Sequence, residues 1–545
     1  MSKVAHYLQE HLMGEVMTSP DARRFFATDA SVLSMTPSVI VYPRNENDVR
    51  KTARFTWQLA ERGRVIPITA RGAGTDLSGA AIGSGIMLSF PAHMNKIMEF
   101  DTKSGYATVE PGTNYAKLQQ TLHTHDRFLP PYPSSAEYST VGGAVANNSS
   151  GEKTLKYGDT RDYVRSVRLV LANGEVIQTG RLSKREFGKK LGLATFEGEI
   201  YRAVDALIEE NQKLIDGSLR GTTKDATGYC LRDVKRRDGT FDLTPLIVGS
   251  QGTLGLISEI TFETEVYTPN PQLIVATFTD LEQAQSAVLE LRGLSDMPSA
   301  MEMVDDQLLT VVEKLNPNLL KDVIAKPFPR VVMLIEFDTP AERTQKKLLK
   351  KAEKILEHLG ATHHLISDVA EQEKYWKIRH SSAIVVGHSE GGLKALPIIE
   401  DGIVPPERFR EYLEGIYAMF KRSGLQAAVW GHAGDGNLHI QPFLDLGQVG
   451  DRQKVFKLMD EYAHLVIGLG GSISGEHGEG RLRAPYMVEQ YGSELYAVFQ
   501  KLKLIFDPYG TLNPGVKVNV TMDSVKSLLR PGYSLDHLYG HMPRT

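Results

Sequence analysis

The chain has 545 residues, with 62 basic against 66 acidic side chains for a formal net charge of −4, and 41% apolar and 23% charged residues. This is ordinary globular composition and excludes a disordered tail or a collagen-like chain, and so small a net charge gives no overall pull toward nucleic acid or anionic lipid. One cysteine, Cys230, cannot make an internal disulfide or the roughly four-thiolate cage of an iron–sulfur cluster, so any redox chemistry must use another cofactor.

At roughly 100–200 residues per domain the length predicts about two to four domains with real cores. The start, MSKVAHYLQEHLMGEVMTSP, carries His and Glu inside its apolar pattern and reads as a helical segment rather than a secretion signal. The longest apolar run, around Val331 to Ile335, falls far short of the ~18–20 residues that span a bilayer. No integral membrane segment is expected, and a single thiol fits a reducing cytoplasm.

From Asp48 to about Gly63 the apolar residues recur at helical spacing, and VIPITA then reads as a short strand. A glycine-rich loop follows: Arg71-Gly72-Ala73-Gly74-Thr75-Asp76-Leu77-Ser78-Gly79. No Lys-Ser/Thr closes it into a P-loop, and no GxGxxG follows a strand, yet its glycines let backbone N–H groups approach a pyrophosphate. Pro133-Ser134-Ser135 and the stretch from Ser139 to Asn148 predict a second cradle, a capped helix start with small residues in its first turns. Taken singly, either loop is equally a tight turn or a close-packing device. VRSVRLVLANGEVIQTG predicts a hairpin across Asn173-Gly174.

Pro269 and Pro271 break the strand pattern and mark a domain boundary. Beyond it, LIVATF with LEQAQSAVLELRGL recurs in form as VVMLIEF with AERTQKKLLKKAEKILEHLG, which predicts a ferredoxin-like sheet backed by helices. Val455, Leu458, Met459, Tyr462, Leu465 and Val466 fall at helical spacing with a stop at Gly470, and GGSISGEHGEGRLR then reads as a loop.

The segment WGHAGDGNLH carries the most chemistry. Asp435-Gly436 between apolar flanks predicts a two-residue hairpin turn, which sets His432 directly opposite His439 with Cβ atoms ~4.5–5.5 Å apart. Glu476, in Gly475-Glu476-His477-Gly478, would complete a His₂Glu set with an open position, and His477 would stay free as a base of ordinary pKa, ~6.5. The alternative is a structural histidine pair, with Glu476 paired to Arg481 or Arg483. Two imidazoles and a carboxylate suit zinc, manganese, iron or cobalt.

Nine stretches in order, FATDASV, PITARGAGTDLSGAAIG, PPYPSSAEYSTVGGAVANNSSG, KYGDTRDYV, VGSQGTLGLISEITF, WKIRHS, WGHAGDGNLHI, GGSISGEHGEG and FDPYGTLNPG, resemble the flavin-dependent 2-hydroxyacid dehydrogenases of the vanillyl-alcohol oxidase/p-cresol methylhydroxylase superfamily. The resemblance implies an α+β fold: a bipartite PCMH-type FAD-binding domain, a ferredoxin-like antiparallel-sheet substrate (cap) domain and a C-terminal helical segment. Placed on this chain, it implies an N-terminal helical segment over 1–34, the FAD domain over 35–267, the cap with the metal hairpin over 268–470, a segment returning to the flavin over 471–520 and a tail over 521–545.

Carried over by position, the resemblance implies an FAD site of Pro67, Arg71, Gly72, Ala73, Gly74, Thr75, Asp76, Leu77, Ser78, Pro133, Ser134, Thr140, Gly142, Gly143, Asn147, Gly151, Tyr157, Gly158, Gly252, Thr253, Ile257 and Asn513, extended by Val248, Gly249 and Leu254. Gln251 stands where the family commonly has Glu. His432, His439 and Glu476 correspond to ligands of a divalent ion, zinc first among them, His477 to the base, and Arg379 to the binder of the substrate carboxylate, assisted by Lys394. No histidine lies in the first glycine-rich loop, which implies non-covalent FAD.

The implied activity is oxidation of a D-2-hydroxy acid, D-lactate foremost and otherwise D-2-hydroxyglutarate or glycolate, with electrons passed to a quinone, an electron-transfer flavoprotein or an iron–sulfur subunit. Peripheral attachment at an inner membrane and a homodimer are compatible with it. The rival readings are an alkyl-glycerone-phosphate-synthase-like enzyme without net redox change and a non-catalytic flavin subunit.

Overall fold

The computed structural model describes residues 3–381, 389–390 and 393–539, so Gly387, His388, Gly391 and Gly392 of the stretch GHSEGGLKALPIIED lie outside the described residues. Three main sheets organise the chain. The first runs Glu15–Met17, Val39–Tyr42, Ile86–Ser89, Ile68–Arg71; its first pair is antiparallel and the others parallel. The N-terminal segment, expected to be helical, therefore also supplies an edge strand, because EVM is too short for a hydrophobic period to show. Helix Glu46–Ala60 packs beside this sheet through Val49 and Ala53. It is started by Asn45, whose side chain accepts from Asp48 N, and the buried Asp48 carboxylate takes the N–H groups of Met13, Gly14 and Arg44.

The second sheet is antiparallel, in the order Ile97–Asp101, Tyr106–Val109, Leu256–Glu263, Val164–Val170, Val176–Gln178. Its last pair is the hairpin expected across Asn173-Gly174: Val170 faces Val176, and Gly174 sits at φ +83°, a backbone that favours glycine.

The third sheet has eight antiparallel strands, Thr362–Ile366, Gln272–Phe278, Val331–Phe337, Ala300–Asp305, Ala427–His432, Asn437–Leu444, Leu393–Ala395 and Ser389–Glu390. The two strand–helix units seen in the sequence meet here, with Gln272–Phe278 paired along its whole length to Val331–Phe337. Both faces of the second strand are covered. Val331, Met333, Ile335 and Phe337 enter one core with Ala284 and Val288 of helix Leu281–Arg292 and Leu348 and Ala352 of helix Glu342–His358, while Val332 and Leu334 enter another with Leu308 and Leu309. A strand buried on both sides reads as a continuous apolar run, which explains the longest such run in the chain. No helix among the described residues is long and apolar enough to cross a membrane.

The histidine hairpin differs from expectation. Its register sets Trp430 opposite His439 and His432 opposite Asn437, because Ala433–Asp435 forms a single turn of 3₁₀ helix closed by Gly436 at φ +70°. Asp435 is held in that turn by the Thr223 hydroxyl, which donates to its carboxylate at 2.7 Å. The connection is four residues rather than two, so the register slips by two. An even slip leaves both histidines on one face, now as diagonal neighbours with ring centroids 5.3 Å apart.

Helix Val449–Gly468 ends as the spacing predicts, with Gly470 at φ +75°. The remaining chain returns to the first sheet, where Ile68 N donates to Thr511 O and Asn513 N to Ile68 O, before a short helix, Met522–Ser527.

Candidate functional site

A single cleft gathers the two glycine-rich loops and the histidine cluster. Arg71, Gly72, Ala73, Gly74, Thr75, Asp76 and Leu77 line one part of it, with Pro133, Ser134, Thr140, Gly142, Gly143, Asn147, Gly252 and Ile257, and its other part is lined by Glu400, Trp430, His439, Gln441, Glu476 and His477. His432 lies just behind this wall, 5% exposed.

The loop part of the cleft fits a dinucleotide. Arg71 Nη2 and Ser139 Oγ are buried polar atoms without a partner, both on the lining, where a bound group would meet them. A side chain at Gly72 would run into Thr140 Oγ. One at Gly252, which holds φ +72°, would meet nothing nearer than Ala70 Cβ at 3.9 Å, on a residue that lines the cleft. Burial pulls the Arg71 guanidinium down to about 10 against the pull of Asp29 and Asp76, so it remains a cation beneath the loop. The helix start at Val141 offers less than its sequence suggested. Thr140 caps it, but the N–H groups of Val141, Gly142 and Gly143 already donate to Thr113 O, Pro111 O and Thr140 Oγ.

Other expected cofactor residues stand behind the lining. Ser78 Oγ donates to the Asp76 carboxylate; Asn513 accepts from Thr69 and donates to Ala80 O and Gln251 O, tying the C-terminal segment to both loops. Gly151 packs against Tyr132 O, and Tyr157 donates to Asp338. Gly158 takes φ +90° at a helix end, Thr253 Oγ donates to Ser250 O, and Pro67 O accepts from Ile86 N. Of the added positions, Val248 and Leu254 are core, and Gly249 N donates to Val145 O. Gln251, at φ +51°, donates to Ser78 Oγ, Asn147 Oδ1 and His477 O and accepts from Gly480 N, bridging three segments without a charge.

The histidine part fits a divalent ion. Nε2 of His432 and of His439 stand 3.3 and 3.2 Å from Glu476 Oε1. With metal–ligand bonds of ~2.0–2.1 Å, the edges of a tetrahedron are ~3.3 Å, so the three donors already have suitable spacing. Behind them, His432 Nδ1 meets Glu302 Oε1 at 2.7 Å and His439 Nδ1 meets Glu400 Oε2 at 3.3 Å. Carboxylates in this position fix the tautomer that presents Nε2 to an ion. Two other trios also have converging donors, Glu400 with His439 and His477, and Asp401 with Glu476 and His477.

His477 Nδ1 lies 2.9 Å from Glu400 Oε1, and Arg483 grips the same oxygen. Burial would lower His477, but Glu400 and Asp401 lift it to about 10, so its expected ordinary pKa is corrected. For His432, burial is likewise outweighed by Glu302 and Glu476, which raise it to about 9. Burial would raise the Glu476 carboxyl, yet Lys224 and His432 hold it well below the usual range. Coordination through His432 requires loss of its second proton, so the affinity for a divalent ion should rise about tenfold per pH unit from 7 toward 9. Calorimetric titration across that range measures it, and a flat profile would remove Nε2 of His432 from the ligand set.

Arg379, expected to grip the substrate, places Nε and Nη2 2.7 Å from Glu302 Oε2 at 4% exposure and does not line the cleft. Lys394 sits in the third sheet opposite Ser389 and Leu444, also away from the lining. Sequence reasoning missed Lys224, Ser150, Glu302, Glu400, Asp401 and Gln441. Glu302 had a signal, a carboxylate between two methionines in the middle of the buried strand Ala300–Asp305; so did Glu400-Asp401, an acidic pair closing the apolar PII of Pro397 to Ile399.

One cleft thus brings the glycine-rich loops and a buried set of two histidines and a glutamate together. Residues 37–180 match the family described as FAD binding domain, and residues 269–516 the family described as FAD linked oxidases, C-terminal domain. The glycolate oxidase subunit GlcD of Bacillus subtilis is 30% identical over 88% of this chain and 88% of its own length. The D-lactate dehydrogenase of Archaeoglobus fulgidus is 28% identical over 92% and 96%. The D-2-hydroxyglutarate dehydrogenase of Escherichia coli K12 is 30% identical over 93% of this chain, which spans about half (50%) of that relative. Among solved structures, p-cresol methylhydroxylase with substrate bound superposes with a TM-score of 0.70 at 14% identity over 96% of this chain and 97% of that one, a likeness of fold. The chain belongs to the FAD-linked 2-hydroxyacid dehydrogenase family.

Proposed function

We propose that the chain oxidises a D-2-hydroxy acid, D-lactate foremost, to the 2-oxo acid, with non-covalent FAD and a divalent ion, zinc foremost. The observation that carries this is the convergence of His439, Glu476 and His477 on the cleft that the glycine-rich loops also line, with His432 meeting Glu476 from just behind that wall. Arg71 to Leu77, with Thr140, Gly142, Gly143, Asn147 and Gly252, would hold the FAD, and His432, His439 and Glu476 the ion. When bound, the flavin supplies a two-electron sink for the substrate's Cα–H bond and the ion supplies Lewis acidity at its hydroxyl.

The chain's own residues orient the substrate and manage its proton. His477 Nε2 takes the hydroxyl proton, while its Nδ1–H stays on Glu400, which Arg483 keeps ionised. A dication held by His432, His439 and Glu476 would oppose the charge on His477 and lower its pKa toward that of a working base. Among the described residues the cleft lining carries a single Arg or Lys, Arg71, on the cofactor loop. Its other basic side chains are His380, His439 and His477. Electrons then pass to a separate acceptor, a quinone, an electron-transfer flavoprotein or an iron–sulfur subunit; the subunit status of the Bacillus relative supports a partner.

Arg379 in this reading acts through Glu302, holding it against His432. Arg379→Met is therefore expected to weaken the divalent ion by about 10–100-fold, the usual cost of a lost outer partner, as read by metal analysis after dialysis. Full metal with a raised KM would instead place Arg379 on the substrate carboxylate.

The test of the function is an anaerobic visible spectrum of the FAD-loaded protein with D-lactate, D-2-hydroxyglutarate and glycolate in turn. Bleaching by D-lactate is expected. Bleaching by another acid would reassign the substrate, and none by any would move the chain to a synthase-like or non-catalytic role.

A further inference from the structure

The two oxygens of Glu476 have different company. Oε1 faces Nε2 of His432 and His439, while Oε2 receives the Lys224 ammonium at 2.7 Å and the Ser150 hydroxyl at 2.6 Å. Lys224 also donates to Ser150 Oγ at 2.7 Å, closing a ring of three contacts. Each of these side chains is almost fully enclosed, with Lys224 5%, Ser150 2% and Glu476 5% exposed. Their sources are far apart in the chain, so the arrangement belongs to the folded molecule and to no local motif.

A carboxylate can bind an ion through one oxygen or both, and it offers about four lone-pair sites. Two short donors on one oxygen, one of them a cation, commit that oxygen away from a metal. An ammonium neighbour for a divalent ion is electrostatically unfavourable, so its place here calls for a compensating role.

We propose that Lys224 is a positioning residue that holds Glu476 to one-oxygen coordination, so that the ion keeps free positions for the hydroxyl and carboxylate oxygens of the substrate. This rests on the metal-assisted reading above and names what keeps that site open. Were both Glu476 oxygens to bind, they would fill a position that a catalytic ion needs open.

The experiment uses the FAD-loaded protein with Co²⁺ as the ion and oxalate as a two-oxygen probe of its free positions. In the unaltered chain oxalate shifts the visible cobalt bands. In Lys224→Met, Co²⁺ should bind at least as tightly, the oxalate-induced shift should disappear, and oxalate affinity should fall about tenfold or more. Lys224→Arg, which restores a cationic donor, should recover the shift. A simple loss of structure would instead remove Co²⁺ and FAD together. An unchanged oxalate shift in Lys224→Met, or loss of Co²⁺ from it with FAD retained, overturns the proposal. Should Lys224→Met fail to fold, Ser150→Ala removes the other donor to Oε2 without stranding a charge; a diminished shift is expected, and an unaltered one overturns the proposal. If the unaltered chain takes up no Co²⁺ at all, the metal-assisted reading itself falls, and this inference with it.

Discussion

His432→Ala is expected to lose its divalent ion and its turnover together. The side chain supplies one of three converging donors, 3.3 Å from Glu476 Oε1, and it is the link between the ion and the Glu302–Arg379 pair behind it. Loss of an outer partner alone costs about 10–100-fold in metal affinity, so loss of a donor should exceed about a hundredfold. Without an ion the hydroxyl loses Lewis-acid assistance worth several kcal/mol, and flavin reduction by D-lactate should slow by about a thousandfold or more. FAD content should stay unchanged, because His432 does not line the cleft. Metal analysis beside stopped-flow flavin reduction checks both halves. Full metal in this variant would shift the ion to the trio of Glu400, His439 and His477 or to that of Asp401, Glu476 and His477.

His477→Asn should separate what His432→Ala joins. Asparagine can keep a donor toward Glu400 where Nδ1 of the histidine stands, 2.9 Å from Oε1, so the Arg483–Glu400 pair behind the site keeps its partners. It has no basic nitrogen to take a proton. Metal and FAD should remain at full occupancy while flavin reduction falls by about 10²–10⁴, the usual worth of a positioned base. Equal activity in the variant and the unaltered chain would sink the mechanism. Metal lost from His477→Asn would make His477 a ligand rather than a base.

Much of the framework was legible because it is local. Glycines at Gly72, Gly74 and Gly252, the Asn173-Gly174 turn, the strand–helix units and the stop at Gly470 are each determined by a few adjacent residues whose backbone or period admits few alternatives. The same holds for the stretches that carry the family resemblance, and for the idea that His432, His439 and Glu476 belong together.

The turn between the two histidines was not legible, because a contact with Thr223, more than two hundred residues earlier in the chain, holds Asp435 in a 3₁₀ turn. Even so, an even register slip preserved the shared face, since side chains alternate with period two. The partners of the site were illegible for a related reason. Lys224 sits in a loop with no distinguishing pattern and meets Glu476 only after three separated segments converge. The acidity of His477 likewise depends on Glu400 and Asp401, which approach it across the fold.

Sequence alone thus determined most local elements, because these depend on short-range backbone preference, and through the family resemblance it pointed to FAD. Tertiary structure alone decided the hairpin register, the pairing of Arg379 with Glu302 and the unequal surroundings of the two Glu476 oxygens. Those depend on which distant charges share a buried, low-dielectric space, where a partner a few ångströms away settles both orientation and protonation.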